Sequence, residues 1–359
     1  MNISKKDREK AEEFMNEKRA VEELIAMSVR VGNRPDYVQA GGGNTSVKTD
    51  GGWMAVKASG CRLKDMSENY GYVAVNAEKI KEYCLQEHEG EDCSKRCIEI
   101  ASETRRQIYE EPKARASIEV GFHSVLDTYV LHLHPVYVNV FLCARDGMEK
   151  VLDFAREKKI PAAGVKYVIP GYELTREILK AGQEYARQNG RFPQVYFLKN
   201  HGIITTAASR EETEVLMDQV NEGLKSAFGL EEMAIPSVIK GEKGYKSSQD
   251  WLLKQLRDRE LVNRVRYQPI YPDQLVYTEN ELSLDPSMPG KITITEEGIS
   301  YCAGEKEAMA LEETMTALFY IHDSIRKQNM EPDLLSEEEC ARILGWESEK
   351  YRKKLMKNG

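Results

Sequence analysis

The sequence has no long apolar run and no excess of basic residues. Within its 359 residues there is no stretch of about 18 consecutive apolar residues, so it predicts no membrane span. Its formal net charge of −8 argues against a general nucleic-acid-binding protein. The first part of the chain is charged throughout and lacks the apolar core of a secretory signal, so we expect a cytoplasmic protein.

Cysteine and histidine are both scarce. The seven cysteines are an odd number and are scattered through apolar or helical stretches, which favours reduced thiols over a disulfide framework. The six histidines leave a short list of imidazoles from which a metal site could be built.

Two of these histidines lie close together in the apolar stretch 129–141. Side chains alternate along an extended strand, so His132 and His134 project from one face and the neighbouring leucines pack on the other. Neutral imidazole is a common metal ligand, and catalytic Zn²⁺ often has three protein ligands and one open position. Taken alone, the motif fits a pair of polar residues on a half-exposed strand equally well.

The remaining pattern indicates alternating helices and strands. Residues 3–30 have the periodicity of an amphipathic helix, and the glycine-rich sequence "GGGNTSV" opens a predicted hairpin. Such a turn can bring backbone N–H groups close to an anion, although a plain hairpin loop explains the glycines as well. Composition shifts near residue 235. We therefore predict a domain over 1–235 and an extension over 236–359 that contains a polar linker, a helix, a β-hairpin and further helices.

A third histidine and a carboxylate complete a candidate constellation. His201 interrupts two short apolar strands, while Glu119 and His123 lie one turn apart on a predicted helix that begins near Ser117. Free N–H groups at that helix start would suit a phosphate or a developing oxyanion. A metal on His132, His134 and His201 would polarise a substrate carbonyl or hydroxyl, and Glu119 could move protons on and off carbon. This arrangement suits chemistry through an enediolate.

Several ordered motifs over about residues 15–230 resemble the class II aldolase/adducin N-terminal domain family, which includes L-fuculose- and L-rhamnulose-phosphate aldolases. "GGGNTSV" resembles the family's Gly-Asn-x-Ser loop, "VKASG" its substrate-phosphate turn, and "RASIEVGFH" the helix start that carries its catalytic Glu. "HLHP" resembles the family's metal pair, "YVIPGYELTREI" the loop and helix between its metal motifs, and "KNHG" its third-histidine loop.

The resemblance implies an α/β protein: a three-layer α/β/α sandwich with a central mixed, mainly antiparallel sheet, to which this chain adds a small α+β extension. It also implies a zinc site at a subunit interface of a homotetramer and a small sugar phosphate as substrate. By position, Zn²⁺ would be bound by His132, His134 and His201, and Glu119 would be the general acid/base. His123 would support the helix. A phosphate would be held by Asn44, Ser59, Gly60 and Ser117, with Lys57 assisting.

The chain departs from the family pattern at two places. Ile118 stands where the family has a second serine, which removes one phosphate hydroxyl, and the segment from Glu119 to His132 is shorter than expected. The extension has no counterpart in the minimal aldolases and resembles, more faintly, the extensions of longer members.

Four functions are compatible with these motifs. The first is a zinc-dependent aldolase that reversibly cleaves a phosphorylated ketose, through a metal-bound enediolate, into a dihydroxyacetone-phosphate-type product and an aldehyde. A pentulose-phosphate 4-epimerase and a dehydratase of the methylthioribulose-phosphate type are alternatives; the epimerases carry Asp where this chain has Glu119. The fourth is a non-enzymatic, adducin-like scaffold, which has no physical need for an open metal site.

Overall fold

A computed structural model describes residues 5–88, 92–106, 114–279 and 281–345, with side chains from residue 16 onward. Its helices are α1 (Lys5–Gly32), α2 (Ala77–Leu85), α3 (Cys93–Glu103), α4 (Val120–Val125), α5 (Val136–Leu142), α6 (Gly147–Glu157), α7 (Tyr172–Asn189), α8 (Arg210–Ala227), α9 (Asp250–Gln255), α10 (Arg259–Tyr267), α11 (Pro272–Thr278), α12 (Glu305–Lys327) and α13 (Glu337–Gly345). Its strands are β1 (Asn44–Lys48), β2 (Trp53–Lys57), β3 (Tyr72–Asn76), β4 (Tyr129–Leu133), β5 (Ala162–Val165), β6 (Val195–Leu198), β7 (Gly202–Ala207), β8 (Val238–Gly241), β9 (Gly244–Ser247), β10 (Leu282–Ser283), β11 (Ile292–Thr295) and β12 (Gly298–Tyr301).

A seven-stranded sheet in the order β3-β2-β1-β4-β7-β6-β5 forms the middle layer of the first 230 or so residues. Only the pairing of β5 with β6 is parallel, and the others in this sheet are antiparallel. Helices α1, α5 and α8 pack on one face, whereas α2, α4 and α7 pack on the other. The predicted three-layer α/β/α sandwich with a mixed, mainly antiparallel sheet is therefore confirmed.

The extended strand predicted within 129–141 covers only the first part of that stretch. Strand β4 ends at Leu133, and α5 begins at Val136 after Pro135, which has the extended backbone of a helix N-cap. The β-branched and aromatic residues of α5 favour strands intrinsically. All seven residues of this helix are buried, so packing on every side outweighs that preference.

The extension begins with structure where a polar linker was predicted, and that prediction is wrong. Strands β8 and β9 form a hairpin with a two-residue loop between Gly241 and Gly244. Gly244 has φ +101°, which a residue with a side chain rarely adopts, so the glycine allows the tight turn. This hairpin joins β10, β11 and β12 in a second sheet of order β10-β11-β12-β9-β8.

Helix α12 connects the two parts of the molecule. Its side chains are buried from Ala310 to Ile325, because it packs on α5 of the first part and on β8 and β9 of the second sheet. One continuous cluster of buried apolar side chains runs from α1 through α5 to α12. Within the described residues, no helix is both long enough and apolar enough to cross a membrane.

Candidate metal centre

Three histidines from two chain segments converge in the interior. His132 lies in β4, His134 follows the end of that strand, and His201 lies in the tight connection between β6 and β7. All three are at most 4% exposed, and one ligand atom from each lies within 4.8 Å of the others. Among the residues that the structure describes, this is the one such group of His, Cys, Asp or Glu side chains.

Hydrogen bonds on the far side of two rings determine which nitrogen faces the centre. The Nδ1 atom of His132 lies 3.1 Å from the backbone oxygen of Ile203, and Nδ1 of His134 lies 2.5 Å from Oδ2 of Asp273. Both partners are acceptors when Asp273 is ionised, so each Nδ1 carries the hydrogen and each Nε2 presents a lone pair. These two Nε2 atoms lie 3.2 Å apart.

Two facing lone pairs repel each other unless a cation lies between them, so this donor set fits a metal ion. Burial lowers the pKa of His132 to about 4 and that of His201 to about 3, which keeps both rings neutral at pH 7. Neutral imidazole is the form that binds Zn²⁺. His201 also has a buried Nδ1 atom without a hydrogen-bond partner.

Glu119 is the residue immediately before α4, and its carboxylate faces the histidines. Its Oε2 lies 3.7 Å from Nε2 of His132, and its Oε1 lies 3.5 Å from Nε2 of His201. Burial raises the pKa of Glu119, but the facing imidazoles and the Asn44 amide outweigh burial and lower it to about 2. The carboxylate is therefore ionised at neutral pH. Its Oε1 atom has no hydrogen-bond partner.

A buried chain of hydrogen bonds holds the other oxygen of Glu119. The Asn44 amide nitrogen donates to Oε2 over 2.6 Å, and the Asn44 amide oxygen accepts from Nε2 of His123. His123 Nδ1 is then the acceptor of the Ser46 hydroxyl, 2.7 Å away. This geometry requires a neutral His123, in agreement with a pKa that burial lowers well below 6.5.

The other residues predicted to hold a phosphate lie in two adjacent turns. The Ser59 amide donates to the Arg115 carbonyl over 2.9 Å, so the turn containing Ser59 and Gly60 is paired with the segment that precedes Ser117. Lys57 is 2% exposed, and its ammonium group donates to the Gly41 carbonyl over 3.3 Å. Asn44, by contrast, already uses both polar atoms of its side chain within the hydrogen-bond chain.

The helix predicted to begin near Ser117 begins later. Helix α4 begins at Val120, with Glu119 at its N-cap position, and it is six residues long. The Ser117 hydroxyl accepts a 3.3 Å hydrogen bond from the Glu119 amide. One N–H group near the expected helix start is therefore already paired, and anion binding at this helix stays a prediction.

The glycine loop, residues 40–43 before β1, donates hydrogen bonds to two side chains of the extension. The sequence did not predict these contacts. The Ala40 amide donates to the Glu313 carboxylate over 3.0 Å, and the Gly41 amide donates to the Tyr277 hydroxyl over 3.0 Å. Glu313 also pairs with Arg62 and Lys64. The Gly41 N–H group that was expected to face an anion thus donates to a hydroxyl of the same chain, and the neighbouring Ala40 N–H donates to a carboxylate. Asp273, Tyr277 and Glu313 all lie in the extension predicted over 236–359.

More than half of the chain matches the model of one protein family. Residues 22–227 match the model of the class II aldolase and adducin N-terminal domain. The chain belongs to this family. The matched region contains the three histidines, Glu119 and the glycine loop, and it ends before the extension.

Individual relatives are distant. An uncharacterized oxidoreductase, YuxG of Bacillus subtilis, is 26% identical over 202 residues, which cover 54% of this chain but only 27% of that protein. The N-terminal class II aldolase domain of a conserved Thermoplasma acidophilum protein is 18% identical, with a TM-score of 0.47 over 58% of this chain and 92% of that one. L-fuculose-1-phosphate aldolase from Thermus thermophilus is 17% identical, with a TM-score of 0.35 over 58% and 93%.

Proposed function

We propose that the protein is a zinc-dependent aldolase that reversibly cleaves a phosphorylated ketose into a dihydroxyacetone-phosphate-type product and an aldehyde. The observation that carries this proposal is the meeting of three buried imidazoles with a buried carboxylate that has one unpartnered oxygen. Membership of the class II aldolase family supports it. A cytoplasmic homotetramer belongs to the same proposal, as does a division into a catalytic domain over 1–235 and an extension over 236–359.

In this proposal His132, His134 and His201 hold Zn²⁺, which supplies Lewis acidity toward the carbonyl and hydroxyl oxygens of the substrate. The close spacing of the three rings suits that role, as does the burial that keeps His132 and His201 neutral. Their burial excludes bulk water, which strengthens every electrostatic interaction in the site.

Glu119 serves as the group that moves the proton. It is ionised at rest, so its free Oε1 takes the proton of the C4 hydroxyl while the C3–C4 bond breaks and the aldehyde forms. The electron pair of that bond stays on the three-carbon fragment, whose C3 then receives the same proton from Glu119. No proton is gained or lost overall. The hydrogen bond from Asn44 keeps Oε2 fixed, so that Oε1 is the oxygen that carries the proton.

The phosphate is assigned in this proposal to Ser59, Gly60 and Ser117, with Lys57 as the nearby cation. The Ser117 hydroxyl accepts from the Glu119 amide, and its own hydrogen remains able to donate to an oxyanion. Both polar atoms of the Asn44 side chain are used by Glu119 and His123, so this proposal gives Asn44 no side-chain hydrogen bond to the phosphate.

A panel of ketose phosphates with product analysis tests the proposal. We expect release of dihydroxyacetone phosphate and an aldehyde, abolished by a chelator and restored by Zn²⁺. Conversion to a C4 epimer without release of fragments would instead indicate an epimerase, and loss of water a dehydratase. Purified protein that binds no Zn²⁺ and shows no metal-dependent activity would favour the scaffold.

A further inference from the structure

Asp273 of the extension contacts the three-histidine site directly. It is the second residue of α11 and is 2% exposed. Its Oδ2 lies 2.5 Å from Nδ1 of His134, which is 4% exposed. The two residues are 139 positions apart in the sequence, and Asp273 lies outside the region that matches the family model.

The glycine loop holds Asp273 in this position. A Cβ atom at Gly42 would lie 2.7 Å from Oδ2 of Asp273 and 3.3 Å from Nδ1 of His134, so the bare backbone of the loop packs against this hydrogen-bonded pair. One turn after Asp273, the Tyr277 hydroxyl accepts from the Gly41 amide. Pro272 occupies the first turn of α11, where its missing N–H group costs no hydrogen bond. The contact between Asp273 and His134 is therefore held by the packing of Gly42 and by the hydrogen bond between Gly41 and Tyr277.

The hydrogen bond determines which nitrogen of His134 is available. A carboxylate on Nδ1–H fixes the tautomer and the ring orientation, and it strengthens Nε2 as an electron-pair donor. That Nε2 atom is the one that faces His132, at 3.2 Å. Asp273 thus acts on the centre through His134, with its own oxygen turned to the far side of the ring.

We propose that Asp273 is a positioning residue for the metal centre, so that the extension supplies an essential part of a site whose ligands all lie in the family domain. This inference rests on the proposed role of the three histidines as zinc ligands. It assigns to the extension a function in metal binding in addition to packing.

Zinc affinity, measured without substrate by competition with a chromophoric chelator, tests the inference on the full chain. Asp273→Asn keeps the shape of the side chain and removes the charge, and we expect it to weaken zinc binding about tenfold, within the 10- to 100-fold range for such partners. Asp273→Leu removes the acceptor, and we expect a larger loss. We also expect the visible absorption bands of the Co²⁺-substituted Asp273→Asn protein to differ from those of the unmodified protein.

Asp258→Asn is the matched control, because Asp258 also lies in the extension but caps α10 and pairs with Arg326. Its zinc affinity and Co²⁺ spectrum are expected to equal those of the unmodified protein. If Asp273→Asn binds zinc with unchanged affinity and an unchanged Co²⁺ spectrum, the inference is wrong, whatever the fate of the leucine variant. If the unmodified protein binds no zinc, the proposed function fails and the inference fails with it.

Discussion

At the scale of single residues, the candidate centre is organised by hydrogen bonds whose direction is fixed by the partners. A backbone carbonyl and a carboxylate only accept, so His132 and His134 each carry their hydrogen on Nδ1. The ionised Glu119 requires the Asn44 amide nitrogen as its donor, which fixes the orientation of the amide and the tautomer of His123. Each of these side chains is thus held in one orientation by neighbours that are themselves buried.

One of the histidines outside the centre, His322 in α12, gives a prediction about pH. It is 1% exposed, neither ring nitrogen has a hydrogen-bond partner, and burial lowers its pKa to about 3. The unfolded chain binds a proton at this position below about pH 6.5, whereas the folded protein stays neutral there until about pH 3. Stability is therefore fully present above pH 6.5 and falls as the pH falls. The loss from His322 between pH 6.5 and pH 5 is about 2 kcal/mol.

His322→Leu removes this contribution. Urea unfolding at pH 7.5 and at pH 5 should show a smaller loss of unfolding free energy for the variant than for the unmodified protein, by about 2 kcal/mol. The histidines of the candidate centre are present in both proteins, so the difference isolates His322. Equal losses in the two proteins would contradict the assignment.

At the scale of elements, local motifs predicted the three-histidine centre but not the contact between α11 and His134. The pair in β4 was recognisable because strand alternation puts residues 132 and 134 on one side, and the turn between β6 and β7 was recognisable from an Asn-His-Gly break. The segment that forms α11 carries no recognisable functional motif, and Pro272 marks only its start. Its contact with His134 depends on the packing of α11 against α12, which no local pattern encodes. The polar composition of β8 and β9 likewise concealed a hairpin, because much of it is exposed.

The close fit between the glycine loop and α11 leads to a prediction for Gly42→Ala. The new methyl group would lie 2.7 Å from the Asp273 carboxylate oxygen, so the loop or α11 must shift. We expect a loss of about 1–3 kcal/mol in the free energy of unfolding and zinc binding weakened about tenfold. Urea titration and chelator competition measure the two effects.

Gly51→Ala is the control for this substitution. Its nearest neighbours would lie 3.8 and 3.9 Å away, at ordinary contact distance, and its backbone does not require glycine. This variant should match the unmodified protein in zinc affinity. A Gly42→Ala protein that also matches it would show that the loop does not hold the pair.

At the scale of the whole molecule, the sequence boundary near residue 235 does not coincide with a boundary in the core. The family domain and the extension each have a sheet, but one cluster of buried side chains continues through α5 and α12. Glu313 of α12 adds a partly buried ion pair with Arg62, in addition to its hydrogen bond with the glycine loop. Composition alone could not reveal this continuity, since it depends on which faces of the helices meet.

A continuous core predicts that both parts unfold together. Trp53 lies in β2 and Trp251 in α9, so two variants that each keep one of these tryptophans, with Trp346 replaced by Phe in both, report on the two parts separately. Fluorescence should give the same urea midpoint for both reporters, as expected for a cooperative transition. A lower midpoint for Trp251 would show that the extension unfolds on its own.

The most direct test of the proposed catalysis is Glu119→Gln, with zinc content and cleavage of the ketose phosphate measured on the same preparation. The amide keeps the size of the side chain and leaves His132, His134 and His201 in place, but it cannot accept the proton. We expect one zinc ion per chain, as in the unmodified protein, and cleavage reduced at least a hundredfold, in line with the loss of general acid–base catalysis. Undiminished cleavage by a zinc-loaded Glu119→Gln protein would contradict the account.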